Sequence, residues 1–180
     1  MLFGHDTIVA LQAGVVIANS AFPPDTLTTV ADLDALFERH GYTGRHDRTA
    51  DELAAVRDLR PQLITLFSAN RDAAAALANE MLAAADALPQ LVRHGAFDWH
   101  IHAVPSDAPL ATRIAVEVAM AMTDVIRADE LSRFGRCDDE DCDGIVLDLS
   151  RNRSRRYCST ACTNRNATAA YRARTAQLPS

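Results

Sequence analysis

The sequence contains no lysine, and all 18 of its basic residues are arginine. Cysteine is absent from positions 1–136, acidic residues are absent after position 148, and no apolar run is long enough to span a bilayer as a helix. Of the 180 residues, 48% are hydrophobic and 23% are charged. These proportions are typical of a globular protein, and the length leaves room for one ordinary domain and a small module.

The segment TIVALQAGVVIA, residues 7–18, comes closest to an export signal. It has no basic region before it and no plain A-x-A cleavage site after it, so we interpret it as part of the core. The absence of a targeting signal favours a cytoplasmic location. The absence of a spanning segment predicts that the protein has no membrane partner.

Recognisable catalytic patterns are missing as well, because there is no nucleophile motif, phosphate-binding loop or paired-carboxylate pattern. His100 and His102 have the H-x-H spacing that can bind metal, with Asp98 on the same face of a predicted strand. We instead expect this polar face to meet solvent, because strand side chains alternate between two faces. The residues that we expect to face the core are Trp99, Ile101 and Ala103. We therefore predict that the protein is not an enzyme.

Charge is divided unequally along the chain, whose net charge is −6. Residues 1–130 hold nine arginines and 18 acidic residues, whereas residues 131–180 hold nine arginines and six acidic residues. Such an asymmetry suggests two modules with different partners, and we predict a boundary at residue 130. The alternative is that the basic tail is only a solvated surface.

The first module is predicted to be mainly helical, with one β-hairpin. The predicted helices are about 6–20 (an apolar segment whose type is open, with a helix favoured), 28–40, 49–68, 71–88 and 106–127, the last four from helical periodicity and capping residues. In the third of these, Thr49 is the expected cap, Glu52 occupies the capping-box position, and Pro61 is expected to kink the helix. Alternation in QLVRHGAFDWHIHAV predicts a hairpin that turns at His94 and Gly95.

The four cysteines lie within 26 residues and have the spacing C-x4-C-x15-C-x3-C. Two close pairs separated by a loop or hairpin are typical of structural zinc sites, in which four thiolates fill a tetrahedral coordination sphere. Such a site leaves no position for an activated water. Disulfides and free thiols are the weaker alternatives in a cytosolic chain. We predict one structural Zn²⁺ held by Cys137, Cys142, Cys158 and Cys162.

The sequence around the cysteines predicts a treble-clef-like finger. The first pair brackets an acidic loop, CDDEDC, and Gly144 precedes a short apolar strand, IVLDL. Ser159 can cap a helix that extends to about Arg174, and Cys158 and Cys162 at its start can face one ion. The helix N-terminus suits the negative charge of a tetrathiolate site. The predicted fold class is mostly α, within the α+β class.

Seven arginines follow the last acidic residue, and three explanations compete for them. They neutralise the zinc–thiolate cluster, which carries roughly −2, or they pair with nearby acidic residues, or they bind phosphates. The first two roles need only two or three arginines, and the surplus suits a nucleic-acid backbone. Asn164, Asn166 and Arg165 are candidate base readers if the helix enters a groove. The candidate DNA-binding residues are Arg151, Arg153, Arg155, Arg156, Asn164, Arg165 and Arg172.

The segment RFGRC-x4-C-x5-DLSRNRSRRYCSTACTNR resembles the CGNR zinc-finger family, whose N-terminal part is the alanine-rich ABATE domain. Thr163 stands where the signature glycine is expected, and its β-carbon can block a close contact. In VVIANS, Asn19 and Ser20 stand where the family has Asn and Thr. Asn19 is therefore a candidate ligand-pocket residue, with a local hydrogen-bonding role as the alternative. The resemblance implies a candidate stress-induced transcriptional regulator.

Together these observations predict a transcriptional regulator of two modules, in which the finger presents an arginine-rich helix to DNA. The N-terminal module is expected to sense a small-molecule effector or to form a homodimer. One alternative is a zinc-stapled protein-interaction module that does not bind DNA. The other is a small-molecule-binding protein or enzyme that uses a pocket in residues 1–130.

Overall fold

The computed structural model describes residues 3–94 and 97–176, and it is mainly helical with two short antiparallel hairpins. The elements in chain order are α1 His5–Asn19, α2 Val30–Arg39, α3 Ala50–Asp58, α4 Arg60–Ser68, α5 Arg71–Ala84, β1 Gln90–His94, β2 Phe97–His102, α6 Leu110–Arg127, a 3₁₀ turn Leu131–Arg133, β3 Phe134–Arg136, β4 Ile145–Leu147 and α7 Thr160–Ala176. The predicted mostly α fold class is confirmed. No helix in the two described ranges has the length and apolar character needed to cross a bilayer.

The helix predicted over 49–68 is interrupted at Leu59, so that α3 and α4 are separate helices. Pro61 lies in the first turn of α4, where its missing N–H is not needed. Thr49 caps α3 as predicted, since its hydroxyl accepts a hydrogen bond from the Glu52 N–H at 3.2 Å. The Glu52 carboxylate does not complete the predicted capping box, because it accepts from two N–H groups of the preceding loop.

Two other helices are shorter than predicted. α5 ends at Ala84 because Asp86 adopts a left-handed backbone conformation, with a φ of 47°, that closes the helix. α6 begins at Leu110 rather than near 106. The segment before it is used in a loop contact, in which the Ser106 carbonyl accepts a hydrogen bond from the Arg45 N–H at 2.9 Å.

α1 and α6 form the centre of the helical core, and Gly14 sets how closely they pack. A Cβ at Gly14 would lie 2.8 Å from a Val118 methyl carbon and 2.9 Å from the Phe67 ring, so this close approach requires glycine. α5 packs against α6, and α4 packs against α1. The largest fully buried side chains are Leu11, Ile17, Leu27, Leu33, Val56, Leu63, Leu66, Leu110, Ile114, Val116, Val118 and Met122.

β1 and β2 form the predicted hairpin, in which Leu91 lies opposite Ile101. The expectation that Trp99 and Ile101 face the core is wrong, since these residues are 61% and 45% exposed. The ribbon has only two strands, so Ile101 and Leu91 cover each other on its outer face. Trp99 lies under the guanidinium of Arg93, at 5.2 Å from the ring centroid.

The polar face of β2 turns toward the helices instead of meeting bulk solvent. His100 and His102 are half-buried, and their Nε2 atoms lie 2.9 Å apart. Ala103 is buried, as expected. Gly95, at the predicted turn, and the side chain of Asp98 lie outside the described residues.

β3 and β4 join the finger to the helical core, because successive side chains of β4 point to opposite sides. Ile145 and Leu147 are 3% and 5% exposed and belong to the helical core, whereas Val146 between them packs within the cysteine cluster. On β3, Phe134 stacks on Phe67 of α4 with ring centroids 4.9 Å apart. One short strand therefore faces the helices on one side and the cysteines on the other.

Candidate metal centre

The four cysteines meet at one end of the finger hairpin, and their Sγ atoms all lie within 4.8 Å of one another. All four are free rather than disulfide-bonded. The sulfur of Cys158 lies 3.5 Å from that of Cys142 and 3.8 Å from that of Cys162. These distances are close to the edge of a tetrahedron with Zn–S bonds of about 2.3 Å, which is ~3.8 Å. The cluster can hold one Zn²⁺, as predicted.

Backbone N–H groups point at two of the sulfurs. The Gly144 N–H donates to Cys142 Sγ, and the Cys158 N–H donates to Cys137 Sγ, both at 3.4 Å. Such donors favour negative charge on sulfur, which the zinc-bound form requires. Only glycine fits at position 144 without a clash, because a Cβ there would lie 2.7 Å from Cys158 Sγ and 3.2 Å from Cys142 Sγ. Cysteine spacing alone did not reveal this contact.

The protonation of the thiols depends on their surroundings. Burial raises the pKa of the Cys142 and Cys158 thiols, whereas hydrogen bonding with Ser159 lowers the pKa of Cys162. Metal binding would therefore displace protons from the cluster. Ser159 also caps α7 as predicted, because its hydroxyl accepts a hydrogen bond from the Cys162 N–H at 3.2 Å. Four sulfur donors that close the coordination sphere suit a structural Zn²⁺.

A buried carboxylate anchors α7 beside the cysteines. Asp139 is 5% exposed and accepts hydrogen bonds from Arg165 Nε at 2.8 Å and from Asn166 Nδ2 at 2.7 Å. The Arg165 guanidinium holds the pKa of Asp139 below its usual value. Arg165 also donates to Cys162 Sγ at 3.4 Å. It therefore connects the acidic loop, the start of α7 and one thiol.

Three arginines before α7 also have partners within the chain. Arg156 pairs with Asp138 at 2.6 Å, and Arg153 pairs with Glu130 at 2.5 Å. The Arg155 side chain donates to two backbone carbonyls next to the start of α7, at 3.2 and 3.1 Å. With the Asp139 pair, internal contacts use four of the seven C-terminal arginines, more than the two or three expected from the sequence.

Asp148 organises the loop that carries these arginines. Its carboxylate accepts hydrogen bonds from the Ser150 and Arg155 N–H groups at 2.8 and 2.7 Å. Burial raises the pKa of Asp148, but the hydrogen bonds from Ser150 and Arg155 outweigh burial, and the pKa lies below its usual value. Arg133 donates to the Asp148 carbonyl at 3.0 Å and so ties the loop to the 3₁₀ turn.

The remaining predicted DNA-binding residues lie on open surface. Arg151, Arg172 and the neighbouring Arg174 are exposed and have no hydrogen bond or ion pair with any residue in the described ranges. Asn164 is exposed on α7. Thr163, at the position of the signature glycine, is also exposed, and its hydroxyl donates to a carbonyl one turn earlier at 3.0 Å. Contact of these residues with DNA stays a prediction.

Asn19 joins the two predicted modules. Its Nδ2 donates to the Ile145 carbonyl at 2.8 Å, and its Oδ1 accepts from the Ile145 N–H at 2.7 Å. These hydrogen bonds fasten the end of α1 to β4. The neighbouring Ser20 accepts a hydrogen bond from the buried Arg60 at 3.0 Å. The contact to Ile145 differs from the local hydrogen bond considered from the sequence, and a ligand contact by Asn19 stays a prediction.

A cavity of about 150 Å³ lies in the first module, lined by α1, the segment after α2, β2 and α6. Tyr42 and Glu117 line it, and sequence analysis singled out neither residue. The sequence around Glu117 could have indicated its burial, because this residue lies between the buried Val116 and Val118 on the largely apolar α6. Burial raises the pKa of Glu117 to about 7. A cavity lined by both polar and apolar residues is therefore present in residues 1–130.

Comparison with protein-family models identifies two regions of the chain. Residues 13–129 match the ABATE family, described as "Putative stress-induced transcription regulator". Residues 133–175 match the CGNR zinc finger, and this region contains all four cysteines. No curated protein matches the chain. The two matches confirm the resemblance that the cysteine and arginine motifs predicted.

Proposed function

We propose, from the premise that the chain belongs to the ABATE family and carries a CGNR zinc finger, that it is a transcription regulator that binds DNA through α7 and the loop before it. One observation carries the proposal. Arg151, Arg172 and Arg174 are exposed and have no partner within the described ranges, on a segment that contains no acidic residue. Cationic side chains that neutralise phosphates supply the sequence-independent part of DNA affinity.

The exposure of α7 supports the proposal. Among its described side chains, only Cys162 and Asn166 are not exposed, and both lie in the first two turns. A helix of 17 residues is about 25 Å long, and an α-helix fits the major groove of B-DNA. Because α7 buries so little surface within the chain, a partner surface would supply the packing that it lacks.

Different arginines would contact different parts of the DNA. The acidic partners of Arg153, Arg156 and Arg165 hold these side chains in place, whereas Arg151 and Arg172 keep all their donors for phosphates. The side chains at the start of a recognition helix are the ones that reach base edges. We therefore assign base contacts to Asn164 and to the remaining donors of Arg165, and phosphate contacts to Arg151, Arg172 and Arg174.

The metal would be structural, and we propose no enzymatic activity for the finger, because four thiolates leave no open coordination position. The helical module would then supply signal input or dimerisation. We also propose a cytoplasmic location for the protein.

The test is a titration with random-sequence duplex DNA at several salt concentrations. We expect Arg172→Ala to weaken binding to all sequences alike and to reduce the salt slope by about one. Arg127→Ala is the matched control, since Arg127 is an exposed arginine at the end of α6, outside the finger. If both variants behave like the wild type, α7 is not the DNA-contacting surface. If the wild type does not bind duplex DNA, the protein-interaction alternative takes the place of this proposal.

A further inference from the structure

The cavity of about 150 Å³ in the helical module is built from four elements that lie far apart in sequence. The N-terminal end of α1, the segment after α2, β2 and α6 surround it. Its apolar lining is formed by Val9, Ala10, Val116, Met120 and Ala121. A cavity of about this volume can hold a single aromatic ring.

Two polar atoms at this cavity are buried and have no hydrogen-bond partner among the described residues. They are Oη of Tyr42 and Nε2 of His40. Burial, with a smaller effect of Arg39, lowers the pKa of His40, so its imidazole is neutral at pH 7. Buried polar groups normally have a partner in the protein, in water or in a ligand. Both residues line the cavity, and each of these atoms would have to turn toward it to bond with a molecule inside.

The formal charges at the cavity are mainly negative. Asp6, Glu117 and Asp124 line it, and Asp124 accepts a hydrogen bond from Thr7 at 2.7 Å. The Arg113 guanidinium also lines it but donates to three backbone carbonyls. Glu117 has no hydrogen bond or ion pair with any residue in the described ranges. Burial raises the pKa of Glu117 to about 7 despite the attraction of Arg113, so a cation that entered the cavity would stabilise the carboxylate form of Glu117.

We propose that this cavity binds a small organic amine with an apolar body, whose protonated amino group pairs with the Glu117 carboxylate. An ammonium group has donors only, and the Glu117 carboxylate, the Tyr42 hydroxyl and the neutral His40 imidazole can all accept. The ring or alkyl part of the ligand packs against the apolar lining. An organic anion would instead meet Asp6, Asp124 and the carboxylate form of Glu117, with Arg113 as the opposing charge, and a neutral molecule of the same shape would not stabilise the charge on Glu117.

Calorimetric titration of the zinc-loaded full chain tests the charge preference with benzylamine, benzyl alcohol and benzoate, which share one ring and differ in charge. We expect benzylamine to bind at least about tenfold more tightly than benzyl alcohol, as a charge-assisted hydrogen bond predicts. Benzoate should bind most weakly. Equal affinity for the amine and the alcohol, or no binding of benzylamine, would overturn the proposal.

Variants then test the role of Glu117. Glu117→Gln should weaken benzylamine binding at least about tenfold and should change benzyl alcohol binding by less than about twofold. Glu80→Gln is the matched control, since Glu80 is exposed on α5, and it should change neither. Full benzylamine affinity in folded Glu117→Gln would overturn the assignment. If this variant does not fold, the three probes on the wild-type chain decide alone. These titrations contain no DNA, so their outcome does not depend on whether the proposed DNA-binding function is correct.

Discussion

At the scale of single residues, the metal centre depends on Gly144 as well as on the cysteines. Its N–H donates to the Cys142 sulfur, and the space beside its Cα is filled by the Cys158 sulfur. The Cβ of any other residue at position 144 would clash with the Cys158 sulfur. Gly135 in β3 offers a comparison within the same finger, because a Cβ at that position has nothing within 4 Å.

Gly144→Ala should therefore reduce zinc affinity by about 10- to 100-fold, the range expected when the groups that support metal ligands are disturbed. The Cβ would force the Cys158 or Cys142 sulfur away from its position. Competition with a chromophoric chelator measures the affinity. Gly135→Ala is the control and should bind zinc like the wild type. Equal zinc affinity in both variants would contradict the role given to Gly144.

Asn19→Ala should lower the free energy of unfolding by about 1–3 kcal/mol, because it removes both hydrogen bonds to Ile145 and leaves that backbone unpaired. Urea unfolding measures the change. Asn152→Ala is the control, since Asn152 is exposed and has no partner in the described ranges, and it should change stability by less than about 0.5 kcal/mol. Wild-type stability in Asn19→Ala would show that the contact with β4 contributes little.

At the scale of elements, a partly buried ion pair holds α4 to the loop after α1. Arg60 is 8% exposed and donates to the two carboxylate oxygens of Asp25 at 2.7 and 3.0 Å. Hydrogen bonding from Arg60 lowers the pKa of Asp25. The pair therefore stabilises the fold above the pKa of Asp25 in the unfolded chain, about 3.9. That contribution is lost as the pH falls through the lower value of the folded state.

Asp25→Asn should consequently lower the free energy of unfolding by about 1 kcal/mol at neutral pH, a modest value because Asp25 is partly exposed to solvent. The difference from wild type should shrink as the pH falls below about 4. Urea unfolding of both chains at each pH measures it, and loss of zinc in acid affects both chains alike. A difference that does not change with pH would assign the effect of the mutation to something other than the charge.

Secondary-structure elements and metal ligands could be predicted from the sequence where the residues that indicate them lie close together in the chain. Each cysteine pair and the Ser159 cap span only a few residues, and both predictions agree with the structure. The exposure of Trp99 and Ile101 could not be predicted, because alternation shows that a strand has two different faces but not which one is covered. The partner of Asn19 lies 126 residues away, and no local pattern marks such a contact.

At the scale of the whole molecule, the finger and the helical module are joined by β4. Ile145 and Leu147 complete the helical core, and Val146 packs with the cysteines. The boundary at residue 130 stays a prediction. A boundary there implies that α1 to α6 keep their hydrophobic core when the metal is removed. The folding of α7 and of the loop before it would instead require metal bound to the four cysteines.

Removal of zinc by a chelator should therefore abolish only the part of the helical circular dichroism that α7 contributes. The remaining helices should melt cooperatively but at a temperature lower by roughly 5 °C or more, because Ile145 and Leu147 lose their fixed place in the core. The control is Cys158→Ser, in which the chelator should have little further effect. Loss of all helical signal on chelation would contradict the two-module architecture.

The central claim is that a zinc-built finger presents unpaired arginines to DNA phosphates. The salt dependence of wild-type binding to a random duplex, measured with zinc bound and after chelation, tests it most directly. Phosphate contacts by Arg151, Arg172 and Arg174 predict a log–log slope of about −2.7 or steeper, and binding that disappears with the metal. Absence of salt-dependent binding by the zinc-loaded protein would contradict the claim and would leave the finger as a protein-interaction module.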